Sequence, residues 1–315
     1  MGRELDVLVV CEINVDIVVS GMDGPPRFGA ERVVGDVTLT AGSSGVLTAT
    51  GLASLGLKVG VCGMVGDDPF GRYMLEHCAR HGIDTAAVVV DPAPPRGSPT
   101  GASVLLSTTD DRAILTHPGV MAQFGLDQIR QEALARAGHL HLSSFFLQAA
   151  LRPDVGRLLD LGRGLGLSTS CDTGHDPEER WEIGDLLNGL DIFLPNEVEA
   201  LAISGATSVE GALAGLASRV GTVAVTCGAV GAWAARGDER RFVPGFAVRT
   251  VDTTGAGDAF DAGFLAAILR GADLETAVRQ GNACGALTAA RVGGGVIDAA
   301  RVNYLLGDRG VQSGE

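Results

Sequence analysis

Short apolar runs alternate with amphipathic stretches along almost the whole chain. Leu5–Val10 is a continuous apolar run of strand length, and Val59–Val65, Thr85–Val90, Leu165–Ser170, Asp191–Pro195 and Thr222–Thr226 repeat the pattern. Leu140–Phe146 reads as a strand running into a loop, and Ala232–Arg236 as a strand before the charged turn Gly237–Arg241. Three-four apolar spacing predicts helices over 41–55, 72–81, 126–137, 155–163, 209–218, 261–270 and 274–291. Leu186-Leu187 belongs to a shorter one, and Gly293-Gly294-Gly295 ends the last. Short strands separated by helices predict an α/β fold, a mostly parallel sheet covered on both faces.

Two stretches break this rhythm. Glu31–Thr40 alternates Val33, Val37 and Leu39, and Thr100–Leu106 with Arg112–Thr116 reads as a hairpin around Thr108–Asp111. They predict a small antiparallel β element, inserted at about 14–40 and 99–118 of a single domain spanning 1–315. Gly24-Pro25-Pro26 and Pro92–Pro99 are loops, and the tail beyond Leu306 is polar and frayed.

Composition narrows the function. The chain has 315 residues, 46% of them hydrophobic and 20% charged, enough for a large core. A formal charge of −14 excludes a nucleic-acid surface, which needs Lys and Arg to neutralise phosphates. It leaves room for a small phosphorylated ligand, because Mg²⁺ can supply the positive charge. The six cysteines are scattered without metal-ligand spacing and read as buried thiols. Neither a signal peptide nor a membrane-length apolar run is expected, so the cytoplasm is the default location.

The candidate chemistry is concentrated in Val251–Phe260, between the strand-like Phe246–Arg249 and a helix. Gly255 and Gly257 stand where a loop becomes a helix, so backbone amides of the first turn can meet an anion. Asp258 in the same turn can take a proton from a nucleophile beside that anion. The pattern points to phosphoryl transfer; helix capping by Asp252 and Asp258 is the alternative. Neither Gly-x-x-x-x-Gly-Lys-Ser/Thr nor a Gly-x-Gly-x-x-Gly after the first strand occurs.

Asp252-Thr253-Thr254-Gly255-Ala256-Gly257-Asp258-Ala259-Phe260 resembles the C-terminal signature of the ribokinase-like carbohydrate kinases, which include nucleoside kinases. The resemblance runs from Asn14 to about Gly295. It implies a three-layer α/β fold whose β insert forms a lid and, in many relatives, a dimer surface. It implies Asp258 as base and the amides of Gly255, Ala256, Gly257 and Asp258 as an anion hole. Asp16, with Asn14 nearby, would hold substrate hydroxyls; a turn-capping pair is the other reading. Ala41–Ala49 is similar to the first family signature, a Gly-Gly pair with Asn further on. Here Gly42 is kept, Ser43 replaces the second glycine and Leu47 stands at the Asn position. Ser43 or Ser44 can cap the helix that follows. Phe145 or Phe146 would pack on substrate or in the core, and His117 ends the lid hairpin.

The resemblance also implies ATP and Mg²⁺. Asn196 at a helix cap puts Glu199 three residues on, a complete capping box, and the family uses that pair to position Mg²⁺ through water. Asp172, with Asp176-Pro177 and Trp181, is similar to a family pattern in the magnesium-water network, near His175. Thr226, Gly228 and Gly231 form the second glycine-rich turn beside the nucleotide, and Asn282 and Ala286 reach towards adenine. Potassium activation at Asp252 and Thr254 is left open. The expected activity is ATP-dependent phosphorylation of a small sugar or sugar-derived acid. The alternatives are a nucleoside kinase, suited to Leu47, and a non-catalytic binding protein.

Overall fold

The computed structural model of the chain describes residues 3–92, 96–108, 112–291 and 294–307. Outside them lie the expected hairpin tip at 109–111, part of the 92–99 loop, Gly293 and the tail beyond 307.

The strands are β1 (Leu5–Val10), β2 (Asn14–Met22), β3 (Asp36–Ala41), β4 (Val59–Cys62), β5 (Met64–Gly66), β6 (Val89–Asp91) and β7 (Gly101–Thr108). Then follow β8 (Arg112–His117), β9 (Ala137–Ser143), β10 (Ser168–Asp172), β11 (Ile192–Phe193), β12 (Thr222–Thr226), β13 (Gly231–Arg236) and β14 (Glu239–Pro244). The helices are α1 (Ser44–Ser54), α2 (Pro69–Arg80), α3 (Gln131–Ala135), α4 (Val155–Gly164) and α5 (Glu197–Ser204). They continue with α6 (Val209–Ala217), α7 (Ala256–Leu269), α8 (Leu274–Ala289) and α9 (Ala299–Leu306).

An eight-stranded sheet ordered β14-β13-β12-β11-β10-β9-β1-β4 forms the middle layer. It is parallel from β4 to β12 and antiparallel beyond. One core cluster lies on the face covered by α3 to α6, with Leu140, Leu158, Ala200 and Leu216 buried in it. The other, with Val9, Leu52, Met74, Phe264, Val278 and Val302, lies under α1, α2 and α7 to α9. Sequence signals set several helix starts. Asp68 caps α2 with Pro69 behind it, and Asn196 and Glu199 close a reciprocal capping box on α5.

A four-stranded sheet ordered β3-β2-β7-β8 stands over the carboxyl edge as a lid. It is not wholly antiparallel: β2 and β7 pair in parallel, joining the two inserts at a central seam.

Four other expectations are corrected. Val59–Val65 is two strands, because they pair with different partners: β4 with β1 in the central sheet, and β5 with β6 outside it; between them Gly63 sits where a Cβ would lie 2.5 Å from the Cys11 carbonyl. Of Thr85–Val90, only the end is strand, as part of β6. The helix expected over 126–137 shrinks to α3, because Ala137 and His139 are recruited into β9 opposite Leu5 and Val7. Phe246–Arg249 joins no strand; it lines a cavity instead.

Candidate active site

The carboxyl ends of the central strands deliver Glu12, Ser144, Asp172, Asn196 and Thr226 to one rim, where ligands bind in open α/β sheets. Two cavities open there. The first, about 500 Å³, lies beneath the lid, lined by Asp16, Ser103, Leu105, Ile114 and Thr116 from above and by Glu12, Ser44, Ser144 and Asp258 from below. The second, about 470 Å³, is lined by Thr226, Gly228, Gly231, Phe246, Asn282 and Ala286 among others. Thr253 belongs to both, and the first turn of α7 divides them: Gly255 and Asp258 face the first, Ala256 and Gly257 the second.

That turn is an open helix N-terminus. Gly255 takes the cap position at φ 74 and no side chain caps it. A Cβ there would lie 2.8 Å from the Gly294 backbone, so only glycine fits. The amides of Gly255, Gly257 and Asp258 meet no acceptor among the described residues, whereas the Ala256 amide donates to the Thr253 carbonyl at 3.2 Å. Three amides and the positive end of a 14-residue helix are thus aimed at the junction of the cavities.

Asp258 is half-buried there. Desolvation, reinforced by Asp172 and Asp16, raises its pKa to about 7, against the lowering effect of a hydrogen bond donated by the Ser44 hydroxyl. A carboxylate poised near neutrality suits a general base. Ser44 is fixed in turn: its amide donates to Glu12 Oε1 at 2.9 Å, as does the Ser144 hydroxyl. Burial raises Glu12 to about 8, and its Oε2 has no partner.

On the lid side, Asn14 Nδ2 donates to Asp16 Oδ1 at 3.1 Å. Burial raises Asp16 to about 6. Gly42 is required beside this pair, because a Cβ would fall 2.3 Å from Asp16 Oδ1. Ser43 is the cap of α1, accepting from the Val46 amide at 3.1 Å and donating to the Glu12 carbonyl at 2.5 Å. Those bonds hold a serine at φ 69, a conformation that favours glycine. Leu47 lines the acceptor cavity and packs beneath the loop contact, with Cδ1 3.3 Å from the Cβ position of Gly255.

Of the two places open to it, Phe145 takes the core and not the substrate cavity. It is absent from the cavity lining; its ring packs edge-on to Phe146 in the core, with the Arg152 guanidinium 5.3 Å from its centroid. Leu147 occupies the cavity wall instead. His175 also reaches that wall, edge-on to Trp181. Asp176 is occupied by the amides of Glu178, Arg180 and Trp181. Asn282 lines the second cavity, but its Nδ2 donates to the Val243 and Pro244 carbonyls at 2.9 and 3.3 Å, holding the cavity edge. Asn196 lies outside that lining; its Nδ2 donates to Glu199 Oε1 at 2.6 Å. The Thr254 amide donates to Asp252 Oδ1 at 2.9 Å, a local turn beside the anion hole.

Asp172, Glu199, Asp258 and Asp261 lie near one another, Glu199 and Asp261 buried and the other two half-buried, all with raised pKa values; desolvation comes first in each, and Asp172 is an aggravating charge for the other three. Asp172 rises to about 6 and Glu199 to about 8. Among the described residues no ion pair joins them to a basic side chain. The same residues show no group of three side chains spaced to ligate an ion directly. Carboxylates without a basic partner are oxygen donors of the kind that suits a divalent cation.

Glu12, Ser44 and the apolar lid residues Leu105 and Ile114 were missed in the sequence. Glu12 had a signal: an acid directly after the apolar run ending at Cys11, with no basic neighbour. The others carry none, because their roles depend on which sheet edge they reach.

A lidded α/β sheet with an open helix N-terminus and a half-buried carboxylate between two cavities defines a phosphotransferase. The family model described as pfkB family carbohydrate kinase matches residues 6–299, and the chain belongs to that family. It is 31% identical to an ATP-dependent ribose-1-phosphate kinase of Halopiger xanaduensis, over 91% of this chain and 93% of that one. A solved PfkB protein from Polaromonas sp. JS666 superposes with a TM-score of 0.81 at 30% identity, over 95% of this chain and 99% of the other. A ribokinase II candidate from E. coli, solved in complex with ATP and Mg²⁺, gives 0.84 at 25% identity, covering 96% and 99%.

Proposed function

We propose that the protein transfers the γ-phosphoryl group of ATP to a hydroxyl of a small sugar or nucleoside, with Asp258 as the base. The observation that carries this reading is the first turn of α7. It presents three unpartnered amides and the Asp258 carboxylate at the junction of the two cavities. The acceptor lies in the lid cavity, its hydroxyls on Asn14 and Asp16. ATP lies in the second cavity, with its base among Phe246, Ala286 and Asn282 and its phosphates towards Gly255 and Gly257. Asp258 accepts the hydroxyl proton as the oxygen attacks phosphorus, and the free amides take up charge on the transferred group. The lid excludes water, which limits hydrolysis of ATP. Mg²⁺ would be held through water by Glu199 and Asp172, and supplies neutralisation of the phosphate charge. Potassium would lie beside Asp252 and Thr254. The single unit spans 1–315, and the apolar outer lid, with Val37 and Leu115 more than half exposed, would pair two copies. ATP supply places the reaction in the cytoplasm.

The test is ADP release with Mg²⁺, with and without potassium, across sugars, sugar acids and nucleosides, beside Asp258→Asn. Acceptor-dependent turnover that falls by about a thousandfold or more in the variant is expected. Turnover that survives in the variant removes Asp258 from the role of base.

A further inference from the structure

The acceptor cavity has a charge character that the fold alone does not dictate. Three carboxylic groups line it, Glu12, Asp16 and Asp258, together with the polar groups of Asn14, Ser103 and Thr116. Among the described residues no lysine or arginine lines it; the one imidazole, His175, stands edge-on to Trp181. Glu12 is 3% exposed, and its Oε2 has no partner. The amides at the start of α7 do not relieve this, because they are committed to the donor phosphate. The remaining wall is apolar, from Leu47, Leu105, Ile114 and Leu147.

We infer that this cavity selects acceptors without an anionic group: an uncharged polyol or nucleoside enters, whereas a sugar acid or sugar phosphate is rejected. The inference rests on the phosphotransferase reading and narrows it. A carboxylate or phosphate on the acceptor would be stripped of water and set beside Asp16 and Asp258 without a countercharge, so the site discriminates by repulsion and desolvation. An uncharged hydroxyl-rich acceptor meets the opposite situation. Its O–H groups donate to Asp16, a protonated Glu12 can donate Oε2–H in return, and its C–H face lies on the leucines. The chain's net charge of −14 adds an unfavourable field for anions approaching from solution, beyond a Debye length only at low salt. The relative from Halopiger xanaduensis bears a sugar phosphate in its name; the inference gives this chain a different preference.

The experiment compares matched acceptors: ribose with ribose 1-phosphate, glucitol with gluconate, and adenosine and uridine as further uncharged compounds. Two readouts are taken, kcat/KM for phosphorylation and protection of the full chain against heat by acceptor alone. Uncharged members are expected to exceed their anionic partners at least a hundredfold in kcat/KM, and only they protect. Ile114→Arg, on the half-exposed lid edge strand, places a cation in the cavity and is expected to narrow that ratio tenfold or more. An anionic acceptor that is turned over, or protects, as well as its uncharged partner overturns the inference and leaves the kinase reading standing. Failure of every uncharged acceptor in both readouts overturns it too. Protection confined to uncharged members, without phosphoryl transfer to any compound, upholds charge selection and sinks the kinase reading.

Discussion

The Ser44 hydroxyl donates to Oδ1 of Asp258 from 214 positions away in the chain. The contact joins the starts of α1 and α7 and lowers the pKa of a carboxyl that burial pushes up to about 7. Ser44→Ala removes the lowering contribution, so the pKa of Asp258 rises further. Because the base must be ionised, the acid limb of the kcat–pH profile moves to higher pH, and kcat at neutrality falls by roughly tenfold. A profile that keeps its limb shows that the serine does not tune the base.

Glu12 imposes a pH dependence on stability. Its folded pKa, about 8, lies above the ordinary carboxyl value of 4.5, so its contribution is fully present below pH 4.5 and is lost as pH rises towards 8. Glu12→Gln keeps an acceptor for the Ser44 amide and the Ser144 hydroxyl and cannot ionise. The variant is expected to gain on the wild type as pH rises, by up to about 1.4 kcal/mol per unit. Urea denaturation at pH 5, 6.5 and 8 reads the difference, and parallel curves contradict it.

Gly255 has no room for a methyl group, with φ at 74 and the Gly294 backbone 2.8 Å from its Cβ position. Gly255→Ala is expected to cost roughly 1–3 kcal/mol in stability. By moving the anion-hole amides it lowers kcat more than it raises the KM of the acceptor. Thermal unfolding and steady-state kinetics check both.

Asn282 supports the edge of the second cavity by holding the Val243 and Pro244 carbonyls. Asn282→Ala forfeits those bonds, worth about 1 kcal/mol each. The expected result is a several-fold rise in the KM for ATP with the acceptor KM unchanged. A rise confined to the acceptor refutes the placement of ATP.

Local chemistry was legible in the sequence wherever a pattern has one reading. Leu5–Val10 and Thr222–Thr226 are strands with the expected ends, and the Asn196–Glu199 capping box closes as its spacing demands. Decisions made by pairing were not legible. Ala137 looks helical until β1 is beside it, and Phe246–Arg249 alternates like a strand but finds no partner. The same holds for the site. Asp258 announces itself through its glycines, whereas Ser44 and Glu12 gain their roles only when α1, β1 and α7 converge. Phe145 shows the converse, an aromatic at a strand end whose ring turns into the core.

The parallel seam between β2 and β7 has a consequence for the order of assembly. Two strands that pair in parallel cannot be joined by a tight turn, and here β3, α1, β4, β5, α2 and β6 lie between them. The seam is therefore a long-range contact, and contacts of such range are expected to form late. In reverse, the lid is the part expected to open at the lowest free energy, since its outer face is exposed and its strands pack on few buried neighbours. Under mild denaturant the chain would lose its grip on the acceptor while the nucleotide cavity, built on α7 and α8, is still intact.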